Sequence, residues 1–254
     1  MPTWDAAQYL RFADERTRPC RDLVTRIPLE APARVVDLGC GPGNSTAVLA
    51  KLWPRAEIIG VDNSAEMIAR ARTDYPKQSW VVGDLALWQS DDPFDVVFSN
   101  AALQWVPDHA ALLPALHSHV APGGVLAVQM PGDPEAIPHR LMRELAASAA
   151  WRDRFPAPVR EWSVLPAETY YDILAPHATR LEIWLTDYLH ILPSVGAIAE
   201  WYRGTGLRPY LDALGEEAPR FVEEFTTALS QLYTPRADGR VIFPFRRLFL
   251  IAVR

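Results

Sequence analysis

A chain of 254 residues, 49% of them hydrophobic, can bury one large core, or a core with a subdomain, without disulfide or metal staples. A formal net charge of −6 argues against a nucleic-acid partner, which needs a basic surface. Cys20 and Cys40 are too few for a disulfide framework or a metal knuckle, no apolar run approaches the roughly 20 residues of a membrane span, and the N-terminus lacks a signal-peptide core. The expectation is a cytoplasmic protein that binds neither membrane nor metal.

Residues 1–30 form an N-terminal arm: helical spacing from Ala6 to Ala13, an interruption at Pro19, and a second helix over residues 21–26. Val35-Val36-Asp37-Leu38 reads as the end of a buried strand, Gly39, Gly41 and Gly43 as a tight turn, and Asn44-Ser45-Thr46 as the opening of a helix over residues 45–51. Glycines let a ligand approach the backbone, and the free amides of a helix start attract carboxylate or phosphate. The spacing is G-x-G-x-G, with Asn44 where a dinucleotide fingerprint needs its third glycine, so a nicotinamide cofactor is not indicated.

A second strand, residues 57–61, ends at Asp62-Asn63; an acid there is placed to accept hydrogen bonds from a ribose diol. A helix over residues 64–75 and a short strand over 80–82 lead to Gly83-Asp84-Leu85, where a carboxylate suits an exocyclic amine. The fourth strand, residues 94–99, runs into Asn100-Ala101-Ala102-Leu103-Gln104-Trp105, polar and aromatic side chains at the carboxyl edge of the sheet. A helix over 110–120, a turn at Pro122-Gly123-Gly124 and a fifth strand over 125–130 follow. Strands alternating with helices predict an α/β fold with a doubly wound, mostly parallel sheet.

The second half is less regular. Helices are expected over 135–151, 167–174, 197–202 and 219–233, strands over 179–192 and 241–253, and a Gly/Pro-bounded connector over 205–210. No Pro/Ser-rich linker separates independent domains, so residues 1–254 read as one domain: arm 1–30, cofactor-binding core 33–130, and substrate-side cap with the last strands 131–254.

The glycine loop, Asp62, Gly83-Asp84 and the loop from Asn100 to Trp105 together resemble the class I S-adenosylmethionine-dependent methyltransferases. The resemblance implies that Gly39, Gly41 and Gly43 contact the methionine part of the cofactor, with Asp37 and Asn44 also in the cofactor-binding set. It places Asp62 at the ribose hydroxyls and Asp84 near the adenine, and Asn63, Leu85, Asn100 and Ala101 complete the expected cofactor-binding residues. Trp4-Asp5 with Tyr9-Leu10, the segment 16–19, Asp37 to Thr46, Leu103 to Asp108, Val125 to Pro131, Tyr170 to Leu174 and Thr205 to Pro209 narrow the resemblance to the trans-aconitate-methylating branch. Esterification of a carboxylate of that tricarboxylate is then expected, with S-adenosylhomocysteine as the other product and the chain a monomer or weak homodimer. The alternatives are another acid substrate on the same fold, or a non-catalytic cofactor-binding protein.

A carboxylate has a pKa near 4, so at neutral pH it is already a nucleophile and no catalytic base is nominated. Arginine suits a carboxylate through its bidentate fork. Arg208, in the connector, is the first substrate candidate, followed by Arg16 and Arg18, then His190 and Tyr171, with Gln104 and Trp105 as pocket residues. His109, His117 and His119 are read as surface or packing residues, and Trp201 and Tyr202 as core.

Overall fold

The computed structural model describes residues 13–155, 157, 159 and 161–254. The first half of the expected N-terminal arm, residues 1–12, therefore lies outside the described residues. Two compact units divide the chain: a larger one of Ala13–Gly132, Trp162–Thr186 and Arg247–Arg254, and a smaller one that includes Asp133–Glu161 and Asp187–Arg246.

In the larger unit α1 (Ala13–Val24) precedes β1 (Arg34–Leu38), α2 (Asn44–Leu52), β2 (Glu57–Asp62), α3 (Ala65–Asp74), β3 (Ser79–Val82) and β4 (Phe94–Asn100). A 3₁₀ turn (Leu103–Trp105), α4 (His109–Ser118), β5 (Val120–Pro131) and, later, α6 (Ala167–Leu174) complete it, α5 (Ile137–Ala147) lying in the smaller unit. The strands β6 (Arg180–Leu192) and β7 (Val241–Val253) run through both units. The sheet has the order β3-β2-β1-β4-β5-β7-β6; β1 to β5 pair parallel and β7 antiparallel to β5. The chain builds outward from β1 to β3, then crosses back to place β4 on the other side of β1. That reversal leaves a crevice at the carboxyl ends of β1 and β4, where open α/β sheets bind ligands.

Val36, Leu38, Val97, Leu126, Val128 and Met130 face one core with Leu113 and Leu116 of α4 and Tyr170 and Leu174 of α6. On the opposite face α1 packs against α2 and β5. The smaller unit packs α9 (Ala218–Leu232) against α5, α7 (Val195–Arg203) and α8 (Arg208–Leu214). Its aromatic core includes Trp201 and Tyr202, buried as expected, with Phe243 and Phe245. Among the described residues no helix is long and apolar enough to cross a membrane.

Three sequence expectations change. Pro19 does not break the arm: α1 runs through it, because Pro19 and Cys20 are buried and Leu23 is fully so, and burial outweighs one lost backbone hydrogen bond. The segment Pro122-Gly123-Gly124 belongs to β5 rather than to a preceding turn. Gly123 donates its N–H to the Arg254 carbonyl at 3.1 Å and Arg254 returns one to Gly124 at 3.1 Å, while the β4 register shifts to absorb the extra residues. The connector at 205–210 ends in a helix, since Pro209 in the first turn of α8 lacks only an N–H that has no intrahelical partner.

Candidate active site

The turn after β1 is tied down from beneath. Asp37 is fully buried, and its Oδ2 accepts from Ser45 Oγ and Thr46 Oγ1, each at 2.6 Å, which fixes the first turn of α2 on the strand. Its Oδ1 has no hydrogen-bond partner among the described residues. Burial pushes the carboxyl up to about 6 although both hydroxyl bonds and their donors favour the anion, and the nearby Asp62 adds to the rise. Gly43 caps α2 with no side-chain bond to the helix amides, and Asn44 begins the helix.

Gly39 has φ +75°, and a Cβ there would sit 2.1 Å from Cβ of Ala102 and 3.4 Å from Cδ2 of Leu85. The glycine turn is thus closed against the loops after β3 and β4, and only glycine allows it. Gly41, at φ +54°, has nothing within 4 Å of the same position, so its backbone faces open space. Asp62 closes the other side: Gly41 N–H donates to Oδ2 and Ser64 N–H to Oδ1, both at 2.9 Å. Each oxygen keeps a lone pair that a diol hydroxyl can use. Burial raises the Asp62 carboxyl as well.

Asn63 is exposed beside Asp62. Asp84 is exposed and its Oδ1 accepts from Ala86 N–H at 2.9 Å, a turn-forming bond that leaves the other oxygen outward. Asn100 is half-buried with Oδ1 unpartnered among the described residues; Ala101, at φ +56°, donates its N–H to the Gln129 carbonyl at 2.8 Å. The ends of β1, β2, β3 and β4 therefore converge on one loop cluster through the Gly39–Ala102, Gly39–Leu85 and Gly41–Asp62 approaches.

Of the substrate candidates, Gln104 and Trp105 share the 3₁₀ turn. Gln104 is buried and donates Nε2–H to the Ala101 carbonyl at 2.8 Å, leaving Oε1 unpartnered among the described residues, while Trp105 meets Trp162 edge-on at 6.2 Å. Tyr171 is 56% exposed on α6. The backbone of Arg16 lies in α1, and its side chain is outside the described residues. Arg208 and His190 belong to the smaller unit: Arg208 pairs with Asp212 at 3.0 Å, and His190 is buried among Tyr188, Trp201, Phe243 and Phe245.

His109 and Tyr170 hold the 3₁₀ turn in place. His109 Nε2–H donates to the Leu103 carbonyl at 2.9 Å, so Nδ1 accepts from the Tyr170 hydroxyl at 2.7 Å, and Leu165 N–H donates to that hydroxyl at 3.1 Å. Burial holds the imidazole below its ordinary pKa, hence neutral. His109 and His117 are both buried, in keeping with packing roles. The support role of Ser45, Thr46 and Ala102 was not read from the sequence: a hydroxyl pair at a helix start hints at the first, but nothing local marks an alanine that will meet Gly39.

The sheet order, with one antiparallel strand next to β5, and a glycine turn clamped by a β2 carboxylate define a class I methyltransferase fold. The methyltransferase domain family matches residues 12–177. Among solved structures the YcgJ protein of Bacillus subtilis superposes with a TM-score of 0.62 at 17% identity, covering 93% of this chain and 98% of that one. Phosphoethanolamine N-methyltransferase 2 of Haemonchus contortus, in complex with phosphomonomethylethanolamine and S-adenosylhomocysteine, gives 0.59 at 18% identity over 92% of this chain and 52% of that one. Proteins named trans-aconitate 2-methyltransferase are 54% identical in Azoarcus sp. (100% of both chains) and 50% identical in Methylobacterium nodulans (100% of this chain, 99% of that one). The chain belongs to the trans-aconitate 2-methyltransferase family.

Proposed function

We propose that the protein transfers the methyl group of S-adenosylmethionine to a carboxylate of trans-aconitate, giving a monomethyl ester and S-adenosylhomocysteine. The observation that carries this reading is the 54% identity to a trans-aconitate 2-methyltransferase over the whole of both chains. The residues present fit the cofactor: an approachable Gly41 backbone, an Asp62 carboxylate with spare lone pairs, and a buried Asp37 oxygen without a partner. When bound, the cofactor supplies an electrophilic methyl group on a sulfonium.

The glycine turn and Asn44 would hold the methionine part, Asp62 and Asn63 the ribose, and Asp84, Leu85, Asn100 and Ala101 the remaining edge. The acceptor carboxylate is ionised at neutral pH, so the chain need not remove a proton. Its contribution is alignment of oxygen, methyl carbon and sulfur, worth up to roughly 7–11 kcal/mol. Gln104 and Trp105, on a turn anchored by neutral His109, border that approach, and Arg208 is the first choice for a distal carboxylate. In this reading the protein is cytoplasmic, a monomer or weak homodimer, with a small-molecule tricarboxylate as partner.

The test is methyl transfer from labelled S-adenosylmethionine to trans-aconitate, cis-aconitate, isocitrate and citrate beside a control without acceptor, with product masses determined. Selective turnover of trans-aconitate to a product one methylene heavier supports the reading; cofactor binding without turnover of any of these acids refutes it. Arg208→Ala should raise KM for trans-aconitate and leave cofactor affinity nearly unchanged.

A further inference from the structure

Gln129, which the cofactor motifs do not include, is the most demanding polar side chain in the larger unit. It is 1% exposed in the middle of a hydrophobic strand, and neither its Oε1 nor its Nε2 has a partner among the described residues. A buried carboxamide with nothing to bond is costly, and native chains keep one where something else completes it.

Register places it. Asp37 pairs with Phe98, Phe98 with Ala127, and Asn100 with Gln129. Paired residues share a face and alternate residues return to it, so Asp37, Asn100 and Gln129 all point to the same side of the sheet. Leu126, Val128 and Met130 occupy the other side, in the apolar core. The shared side is the one beneath α1, which packs on β5 and whose Cys20 thiol is pushed up by burial and, after that, by the Asp37 charge. The carboxyl edge of the sheet beneath this helix therefore carries three buried oxygens without partners, Asp37 Oδ1, Asn100 Oδ1 and Gln129 Oε1, and Gln129 Nε2 is the one donor among these atoms.

We infer that the Gln129 carboxamide binds the acceptor, donating its Nε2–H to a carboxylate oxygen of the substrate and so orienting the reacting group. The inference rests on the proposed methylation of a carboxylate and assigns it a side chain. A carboxylate is the natural partner of a buried N–H that lacks an acceptor. The cofactor's own carboxylate is less suited, because the glycine turn and the α2 amides, which no side chain caps, offer an anion donors at β1, two strands and about 10 Å from β5.

Gln129→Met keeps the volume and removes the donor; Gln129→Asn keeps the donor on a shorter arm. For Gln129→Met we expect KM for trans-aconitate to rise at least tenfold, the dissociation constant for S-adenosylmethionine to stay within twofold, and Tm to hold or increase, since an unpartnered buried carboxamide is gone. Gln129→Asn should fall between it and the wild type. An unchanged KM in Gln129→Met, a change confined to cofactor affinity, or a fall of several degrees in Tm would each overturn the assignment. Failure of the wild-type protein to bind or methylate trans-aconitate would instead overturn the functional reading, and this inference with it.

Discussion

Alanine at Gly39 and at Gly41 should separate closure of the site from access to it. Both glycines have positive φ, +75° and +54°, so a side chain at either costs roughly 1–2 kcal/mol for the left-handed backbone. Only at Gly39 does the new methyl collide: it would lie 2.1 Å from the Ala102 methyl, with Leu85 at 3.4 Å, against an ordinary carbon contact of about 3.5–4.0 Å. Overpacking of that kind adds about 1–3 kcal/mol, so Gly39→Ala should lose roughly 2–5 kcal/mol and Gly41→Ala roughly 1–2. The double variant Gly39→Ala, Ala102→Gly should recover the overpacking share while the backbone strain remains. Urea unfolding of the two singles, Ala102→Gly and the double gives these differences directly. Cofactor affinity should follow another order: Gly41→Ala, whose methyl projects into the open space over the loop, should weaken S-adenosylmethionine binding at least tenfold, about 1.4 kcal/mol. Equal destabilisation by the two singles, or no recovery in the double, would show that the loops after β1 and β4 do not close on each other as described.

Other outcomes follow from the polar supports. Burial raises the Asp37 carboxyl from 3.8 to about 6, so between about pH 4 and 6 the folded chain holds a proton that the unfolded chain has lost; stability should fall as pH rises through that window, by about 3 kcal/mol, and Asp37→Asn should flatten that slope in urea midpoints taken from pH 4 to 7. Asp62→Asn turns an amide group toward one of the two backbone N–H donors and loses a charged hydrogen bond of about 1.5–3 kcal/mol; calorimetry should find cofactor affinity lowered roughly 10- to 150-fold, and an unchanged affinity would remove Asp62 from the ribose. Tyr170→Phe strands the Leu165 N–H and His109 Nδ1 in the interior at about 1–3 kcal/mol, which thermal melts should register as a Tm lower by about 2 °C or more.

The reading of five strands held because each strand up to β3 is a short apolar run ended by glycine or an acid, a pattern that local chemistry alone produces; the expected alternation fails once, since among the described residues no helix joins β3 to β4. Where the expectations slipped, at Pro19 and at Pro122-Gly123-Gly124, the local signal was a breaker that tertiary contacts overrode, burial of the α1 face and the Arg254 backbone; at Arg208-Pro209 the breaker was instead tolerated locally, in the first turn of a helix. The site divides along the same line.

Glycines and acids at fixed offsets from strand ends announce themselves, since the turn needs positive φ and the ligand needs a carboxylate wherever the rest of the chain goes. Thus Asp37, Gly39, Gly41, Gly43, Asp62 and Asp84 were legible as residues at strand ends of a parallel α/β sheet, and the cofactor role proposed for them rests on that placement. The tertiary structure alone decided that Ala102 closes on Gly39, that His109 and Tyr170 steady the turn bearing Gln104, and that Gln129 shares a buried face with Asp37 and Asn100. Apart from the short His109–Leu103 bond, those relations join residues 29 to 92 positions apart. They depend on strand order and register, which are set by the packing of whole layers and not by the neighbours of any one residue.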